Sequence, residues 1–248
     1  MQDASDLERL LSRLAAGADR MVANPADLER LLQAGVQLQV VPRLSIEESV
    51  PRLFSERQTG AVERAKALPV APTLAPPAVA SLYDEIAECI VFGMHGAAIT
   101  LSGVLVEFVL KYATYIREAG GFANYDPVRW DEFERITFDP AITRAKAAGL
   151  LTDQWTDDLQ RFKRLVRNPY SHYNIRKITS CVVWRNVKVV NVSTASLEEK
   201  TIPAKDDPVL QAQAKPIVDS AQVYTVFAFA DAVTKHLLTG IGYGWPAA

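Results

Sequence analysis

The chain's best candidates for chemistry lie within six consecutive residues, from Arg167 to His172. Histidine is the side chain best suited to take up and release a proton near neutral pH. Arginine keeps its charge and presents a planar set of donors that fits phosphate oxygens. Asn168 can hydrogen-bond a phosphate or hold the imidazole of His172 in one tautomer. The segment therefore combines a proton-transfer group with a fixed positive charge, and Arg167, Asn168 and His172 are the candidate catalytic residues.

Side chains that could bind the substrate surround this segment. Lys163 and Arg164 add positive charge just before it, in a chain whose net charge is −2. Tyr170 and Tyr173 carry aromatic rings that could stack on a flat group of a substrate. We interpret these four as candidate substrate-binding residues. The alternative for the two basic residues is a solvated helix face, or cations placed favourably at the C-terminus of a helix.

Glu107 is a lone acid within an apolar stretch that indicates a buried helix. A buried carboxylate needs a partner, and the alternatives are an ion pair with Arg167 or Lys111, or a hydrogen bond that orients His172. Neither of the two cysteines has a Cys or His partner at metal-ligand spacing. We therefore expect reduced thiols, no metal site and no cofactor. The slightly negative net charge also argues against a duplex-DNA binder, which needs a broad basic surface.

The elements around the motif decide whether its residues can cooperate. The apolar periodicity predicts a helix over residues 153–166, and Asn168 before Pro169 predicts its end, since a residue before proline is disfavoured in a helix. On an unbroken helix, five steps rotate by about 500°, which would leave the arginine and the histidine about 140° apart. We therefore expect either a break at Asn168-Pro169 or the pairing of two copies across a two-fold axis.

The rest of the chain divides at a proline-rich segment. Four prolines within residues 68–77 disfavour a regular element there. We expect a small helical N-terminal region at 1–67, a linker at 68–77 and a helical domain at 78–248. The N-terminal region holds two similar pieces, at 6–11 and 27–32, which we interpret as two amphipathic helices rather than as a repeat.

Hydrophobic periodicity predicts the elements of the larger domain. A β-rich stretch at about 178–202 predicts an inserted hairpin, with its connection at Arg185-Asn186 and a third strand near residues 201–202. The last helix is apolar on one side and contains Pro216, at which it could kink or split. The predicted helices are 78–92, 97–118, 131–137, 140–150, 153–166 and 208–238.

The segment Arg167-Asn168-Pro169-Tyr170-Ser171-His172 resembles the signature of the HEPN (higher eukaryotes and prokaryotes nucleotide-binding) superfamily: an arginine, a polar residue, three further residues and a histidine. Residues 96–111 resemble the first core helices of that fold. The likeness covers roughly 78–240 in layout and does not extend to the N-terminal region. It departs at Asn174, because one branch of the superfamily, paired with nucleotidyltransferase antitoxins, carries a modified tyrosine there.

The resemblance implies a mainly α protein, an up-down helical bundle that forms a homodimer in which two motifs line one cleft. It also implies a metal-independent RNA endonuclease of toxin or phage-defence type, in which the 2′-OH of the RNA attacks the phosphate and leaves a cyclic phosphate. Single-stranded or loop RNA and an antitoxin or regulatory protein are the implied partners. The alternatives are a catalytically inactive HEPN-like module for nucleotide binding or assembly, and a plain interaction protein.

The N-terminus is acidic and lacks an apolar signal core, which predicts a protein that is not exported. The most apolar stretch, residues 97–110, is interrupted by polar residues and falls short of the roughly 20 residues needed to cross a bilayer. We therefore expect a cytoplasmic protein without a membrane segment.

Overall fold

The structure is a computed structural model, and its described residues fall into two compact units. The described residues are 45–71, 75–191 and 196–243. The smaller unit contains residues 45–53 and 179–214, and the larger unit contains residues 54–178 and 215–243, each as far as it is described. The two N-terminal pieces predicted at 6–11 and 27–32 lie outside the described residues.

Helices dominate the described chain, which confirms a mainly α fold. The helices are α1 (Ile46–Gln58), α2 (Ala61–Lys66), α3 (Pro77–Val91), α4 (His95–Ala119), α5 (Pro127–Arg135), α6 (Phe138–Ala147), α7 (Asp153–Phe162), α8 (Asn168–Ser171), α9 (Ile175–Ile178) and α10 (Pro208–Gly240). The strands are β1 (Val183–Asn191) and β2 (Ser196–Pro203), with 3-10 turns at Phe122–Asn124 and Ala204–Asp206 and a π-helical turn at Lys163–Arg167. The predicted helices 78–92, 97–118 and 208–238 are confirmed within a few residues.

Two helices begin earlier than their apolar periodicity predicted. α5 begins at Pro127 rather than at residue 131, because Asp126 caps it by accepting a hydrogen bond from the backbone N–H of Val128. α6 begins at Phe138 rather than at Pro140. Proline is tolerated within the first turn of a helix, where its missing N–H has no partner to lose. In both helices a proline lies in the first turn.

The core of the larger unit forms where α3, α4 and the second half of α10 pack together. The ring centroids of Tyr83 on α3 and Phe227 on α10 lie 4.8 Å apart, and Leu105 and Val109 of α4 are fully buried. α10 is one helix with Pro216 inside it. The apolar face predicted for this helix is buried: it contains Val218, Val223, Val226, Phe227, Ala230 and Leu237.

α4 is the longest helix that lies wholly within the larger unit, at 25 residues. By length and composition alone it could cross a membrane, and half of its most apolar window is buried inside the protein, as in a core helix. The helix ends at Gly120, whose φ of 77° is left-handed. The N–H groups of Gly120 and Gly121 donate to the carbonyls of Arg117 and Ile116, which satisfies the last turn.

The hairpin expected at about 178–202 is confirmed as a two-stranded antiparallel sheet of β1 and β2. The predicted connection at residues 185–186 is wrong, because these residues lie inside β1 where the pairing register shifts. Asn186 there has a φ of 58°. A residue pair that indicated a turn instead forms a bulge, which uses similar left-handed backbone. The predicted third strand near 201–202 is part of β2.

The smaller unit has a core cluster of its own. Trp184 of β1 packs with Val182 and Ile202 against three buried residues. These are Ala204, Leu210 and Ala214. Trp184 is therefore a packing residue of this unit.

Candidate functional site

The motif lies on a helix that contains one wider turn, and the helix is not broken. α7 continues through the π-helical turn Lys163–Arg167 into α8, and the N–H of Asn168 donates to the carbonyl of Lys163, five residues back. Asn168 is itself helical, with φ −66° and ψ −45°. The predicted break at Asn168-Pro169 is therefore wrong. Proline lacks a donor and crowds the carbonyl four residues before it, and the wider turn relieves this conflict without ending the helix.

Arg167 is held in place by two side chains. Its Nη2 donates to Oε2 of Glu107 at 2.7 Å, and its Nη1 donates to Oδ1 of Asn168 at 3.2 Å. Its Cγ packs on α4, where a Cβ added to Gly103 would lie 3.5 Å away. The side chain is 25% exposed. The guanidinium is thus oriented by the protein and keeps part of its surface available to an anion.

Glu107 joins two cations. Its Oε1 lies 2.9 Å from Nζ of Lys111, while its other oxygen binds Arg167. Burial would raise the pKa of Glu107, but hydrogen bonds from Lys111 and Arg167, together with their charges, outweigh burial and hold the pKa below its ordinary value. Both ion pairs that the sequence left open as alternatives occur together. No hydrogen bond joins Glu107 to His172 in the part of the chain that the structure describes.

His172 follows α8 directly and is exposed to solvent. The next residue, Tyr173, has a left-handed φ of 46°, a conformation that glycine usually supplies after a helix. The N–H groups of Tyr173 and Asn174 donate to the carbonyls of Tyr170 and Pro169 and close the turn. Among the described residues, no group is hydrogen-bonded to the imidazole of His172. The histidine is therefore carried by a defined turn while its ring is free.

Asn174, the residue at which the motif departs from the antitoxin-linked branch, caps the next short helix. Its Oδ1 accepts a hydrogen bond from the N–H of Lys177 at 3.1 Å. This is the usual contact of a helix N-cap. The asparagine therefore starts α9 and keeps the chain close to the turn that carries His172.

Tyr170, predicted to bind substrate, points into the protein. It is 6% exposed, and its hydroxyl donates to Oδ1 of Asp219 on α10 at 2.7 Å. In this conformation its ring face is not accessible to a nucleobase. Tyr173 is 66% exposed, so of the two tyrosines only this one presents a ring for stacking.

Two residues of α10 complete the surroundings of the motif, and the sequence did not identify them. Asp219 is 5% exposed, and its Oδ2 lies 2.5 Å from Nζ of Lys215. The ammonium group of Lys215 lies 5.5 Å from the ring centroid of Tyr170 and 5.4 Å from that of Tyr173. A lysine and an aspartate four residues apart on a helix are a signal of an ion pair. Nothing in the sequence relates that pair to the motif.

The two basic residues predicted to bind substrate differ in their surroundings. Lys163 forms an ion pair with Asp139 on α6. The hydrogen bond from Lys163 is the main reason that the pKa of Asp139 lies below its ordinary value. Arg164 is exposed and has no ion-pair partner in the described ranges. Of these two cations, Arg164 is the one whose charge is uncompensated.

No family model, curated protein sequence or solved structure matches this chain. The resemblance to the HEPN superfamily therefore depends on the motif residues and on the order of the elements.

Proposed function

We propose that this protein is a metal-independent RNA endonuclease of HEPN type, which acts as a dimer whose two motifs share one cleft. The observation that carries the proposal is the contrast within the motif: Arg167 is fixed by Glu107 and Asn168, while His172 is exposed. A fixed guanidinium is the preorganised charge that stabilises a phosphorane. An exposed imidazole can reach a substrate and transfer its proton.

The proposed reaction is a transesterification within the RNA. One His172 accepts the proton of the ribose 2′-OH while O2′ attacks phosphorus. Charge grows on the non-bridging oxygens of the phosphorane, to which Arg167 donates hydrogen bonds. The bond between phosphorus and O5′ then breaks with its electron pair on O5′, which takes a proton from the second His172 of the dimer. The products are a 2′,3′-cyclic phosphate and a 5′-OH.

The surface around the motif supports RNA as the substrate. Tyr173 presents an exposed ring beside His172, and its left-handed backbone is the kind of strain that often accompanies functional sites. Arg164 contributes an uncompensated charge on the preceding turn. Together they offer stacking and phosphate contacts, as single-stranded RNA requires.

Exposed apolar side chains lie close to the motif in the chain. Leu165, two residues before Arg167, is 55% exposed, and Val104, next to Gly103 on α4, is 45% exposed. Apolar side chains left in water beside a motif are a natural place for a second copy. We also propose that the protein is cytoplasmic and that an antitoxin or another regulatory protein inhibits it.

The test is an RNA cleavage assay in EDTA. Wild type, Arg167→Ala and His172→Ala are incubated with single-stranded RNA of mixed sequence, and Arg129→Ala serves as a control because Arg129 is an exposed arginine on α5. We expect cyclic phosphate ends from wild type and from the control, and none from the two motif variants. Equal products from all four proteins would disprove the enzyme. Products that end in 3′-phosphate without a cyclic intermediate would disprove only the mechanism.

A second candidate function is a catalytically inactive HEPN-like module for nucleotide binding or assembly. The imidazole of His172 has no hydrogen-bond partner in the described chain. A catalytic imidazole is usually oriented by a hydrogen bond, so this observation favours the inactive module. This candidate predicts nucleotide or RNA binding that depends on Arg167, without any cleavage in EDTA.

A further inference from the structure

Asp219 on α10 is a buried carboxylate with both oxygens occupied. Oδ1 accepts the hydroxyl of Tyr170 at 2.7 Å, and Oδ2 lies 2.5 Å from Nζ of Lys215. Oδ2 also lies against the first turn of α4, since a Cβ added to Gly96 would be 2.6 Å from it. A side chain at position 96 would have to displace this carboxylate or the ammonium group of Lys215, and the carboxylate therefore lies between α10, α8 and α4.

Tyr170 links this carboxylate to the motif. It lies between Arg167 and His172 in the chain, and its carbonyl accepts the N–H of Tyr173, the left-handed residue that closes the turn. Lys215 reaches the same turn from α10, with its ammonium group 5.4 Å from the ring centroid of Tyr173. Two contacts from the Asp219–Lys215 pair therefore converge on the residues that flank His172.

A second aspartate of α10 has the same chemistry in another place. Asp231 accepts the hydroxyl of Tyr83 at 3.0 Å and lies 2.8 Å from Nζ of Lys235. It is 7% exposed. Tyr83 belongs to α3 and packs on Phe227, so this group joins two core helices. It offers an internal control for the cost of losing a buried Tyr–Asp hydrogen bond.

We propose that Asp219 is a positioning residue of the active site, which acts through Tyr170 to hold the turn that presents His172 relative to Arg167. The activity part of this proposal rests on the ribonuclease function proposed above. Both Tyr–Asp hydrogen bonds stabilise the fold, and the one between Tyr170 and Asp219 also positions the imidazole of His172. A misplacement of about 1 Å can cost on the order of 100-fold in rate.

Tyr170→Phe and Tyr83→Phe form a matched pair of variants. Each removes one hydroxyl that donates to a buried aspartate, and each keeps the ring. We expect both to lower the midpoint of thermal unfolding, but only Tyr170→Phe to lower kcat for RNA cleavage, on the order of 10- to 100-fold, with KM unchanged. An equal kcat in the two variants, or a change in KM alone for Tyr170→Phe, would overturn the proposal.

A second measurement does not depend on cleavage. The chain has three histidines, so the imidazole signal of His172 can be assigned by NMR from the spectrum of His172→Gln. We expect Asp219→Asn to shift or broaden this signal and Asp231→Asn to leave it unchanged. If wild type cuts no RNA, the proposed function fails, and the NMR comparison alone decides the positioning role. A His172 signal that is the same in both variants would overturn that role.

Discussion

Arg167 and His172 belong to one motif and are held in opposite ways. Arg167 is 25% exposed and donates hydrogen bonds to Glu107 and to Asn168. His172 is exposed and has no hydrogen bond to its ring within the described chain. The arginine packs on a core helix, whereas the histidine follows a four-residue helix and precedes a left-handed tyrosine.

In the proposed dimer site, a single chain completes only the half that contains Arg167. A charge that is already fixed needs no reorganisation when the transition state forms. A free imidazole can meet both a substrate and the imidazole of a second copy. The helix is not broken between Arg167 and Ser171, and an ideal helix would place Arg167 and His172 about 140° apart around its axis.

The sharpest test of this contrast removes each residue in turn. We expect Arg167→Ala and His172→Ala each to lower RNA cleavage by at least about 100-fold, since each removes transition-state charge stabilisation or proton transfer. Their stabilities should differ. Arg167→Ala should cost about 1–3 kcal/mol, because Glu107 loses a partner, while His172→Ala should stay within about 0.5 kcal/mol. Urea unfolding measures this difference, and equal destabilisation would contradict the contrast.

Glu107→Gln tests what fixes the arginine. At pH 7 we expect a loss of about 2 kcal/mol of unfolding free energy, because two ion pairs to a mostly buried carboxylate disappear. The pKa of Glu107 is lowered in the folded state. Its stabilising contribution is therefore complete above the ordinary carboxyl pKa and is lost as the pH falls through the lowered value.

The control for that substitution is the pH dependence itself. The stability difference between wild type and Glu107→Gln should shrink on acidification below about pH 4, the ordinary range of a glutamate. A difference that stayed constant down to pH 2 would show that the carboxylate charge does not hold Arg167.

Tyr173→Gly tests the free half of the motif. Glycine accepts the left-handed backbone, so we expect stability to change by no more than about 1 kcal/mol. RNA affinity should fall by about 1–3 kcal/mol if the ring stacks on a base. Asn186→Gly is the matched control, because Asn186 is the other non-glycine residue with a positive φ in the described chain. Equal RNA affinity in the two variants would show that Tyr173 does not bind RNA.

The smallest effect is expected in the basic residues before the motif. Arg164→Gln should remove about one phosphate contact. The slope of the logarithm of the RNA-binding constant against the logarithm of salt concentration should therefore become shallower by about 0.7, the value for a single strand. Lys163→Gln should change it less, because Asp139 already compensates that charge. Binding isotherms at several salt concentrations measure both slopes, and a larger change for Lys163→Gln would contradict this order.

Sequence patterns predicted the long elements well and the local geometry of the motif poorly. The positions of α3, α4 and α10 and the buried face of α10 follow from apolar spacing, because helix packing selects that spacing directly. The Asn168-Pro169 pair indicated a break, but a π-helical turn accommodates the proline without ending the helix. Hydrophobic periodicity does not reveal a π-helical turn, because such a turn adds only one residue to the helix.

The site residues divide in the same way. The sequence singles out Arg167, Asn168, Glu107 and His172 as candidates because their types and spacing suggest chemistry. The burial of Tyr170 and its bond to Asp219 depend on how α10 packs against α8. Long-range contacts of this kind leave no local signal in one sequence. Arg185 and Asn186 were predicted to connect two strands, whereas they lie inside β1 at a shift in the pairing register, where Asn186 has a left-handed backbone.

The most direct test of the account measures RNA cleavage in EDTA against protein concentration, with the monomer–dimer equilibrium followed by analytical ultracentrifugation. A site that needs two copies predicts a rate that rises with the square of concentration below the dimer dissociation constant and linearly above it. Leu165→Asp should shift both transitions to higher concentration together, whereas Val128→Asp, at an apolar residue that is 70% exposed on α5, should shift neither. A rate that stays proportional to concentration where the protein is monomeric would contradict the shared site.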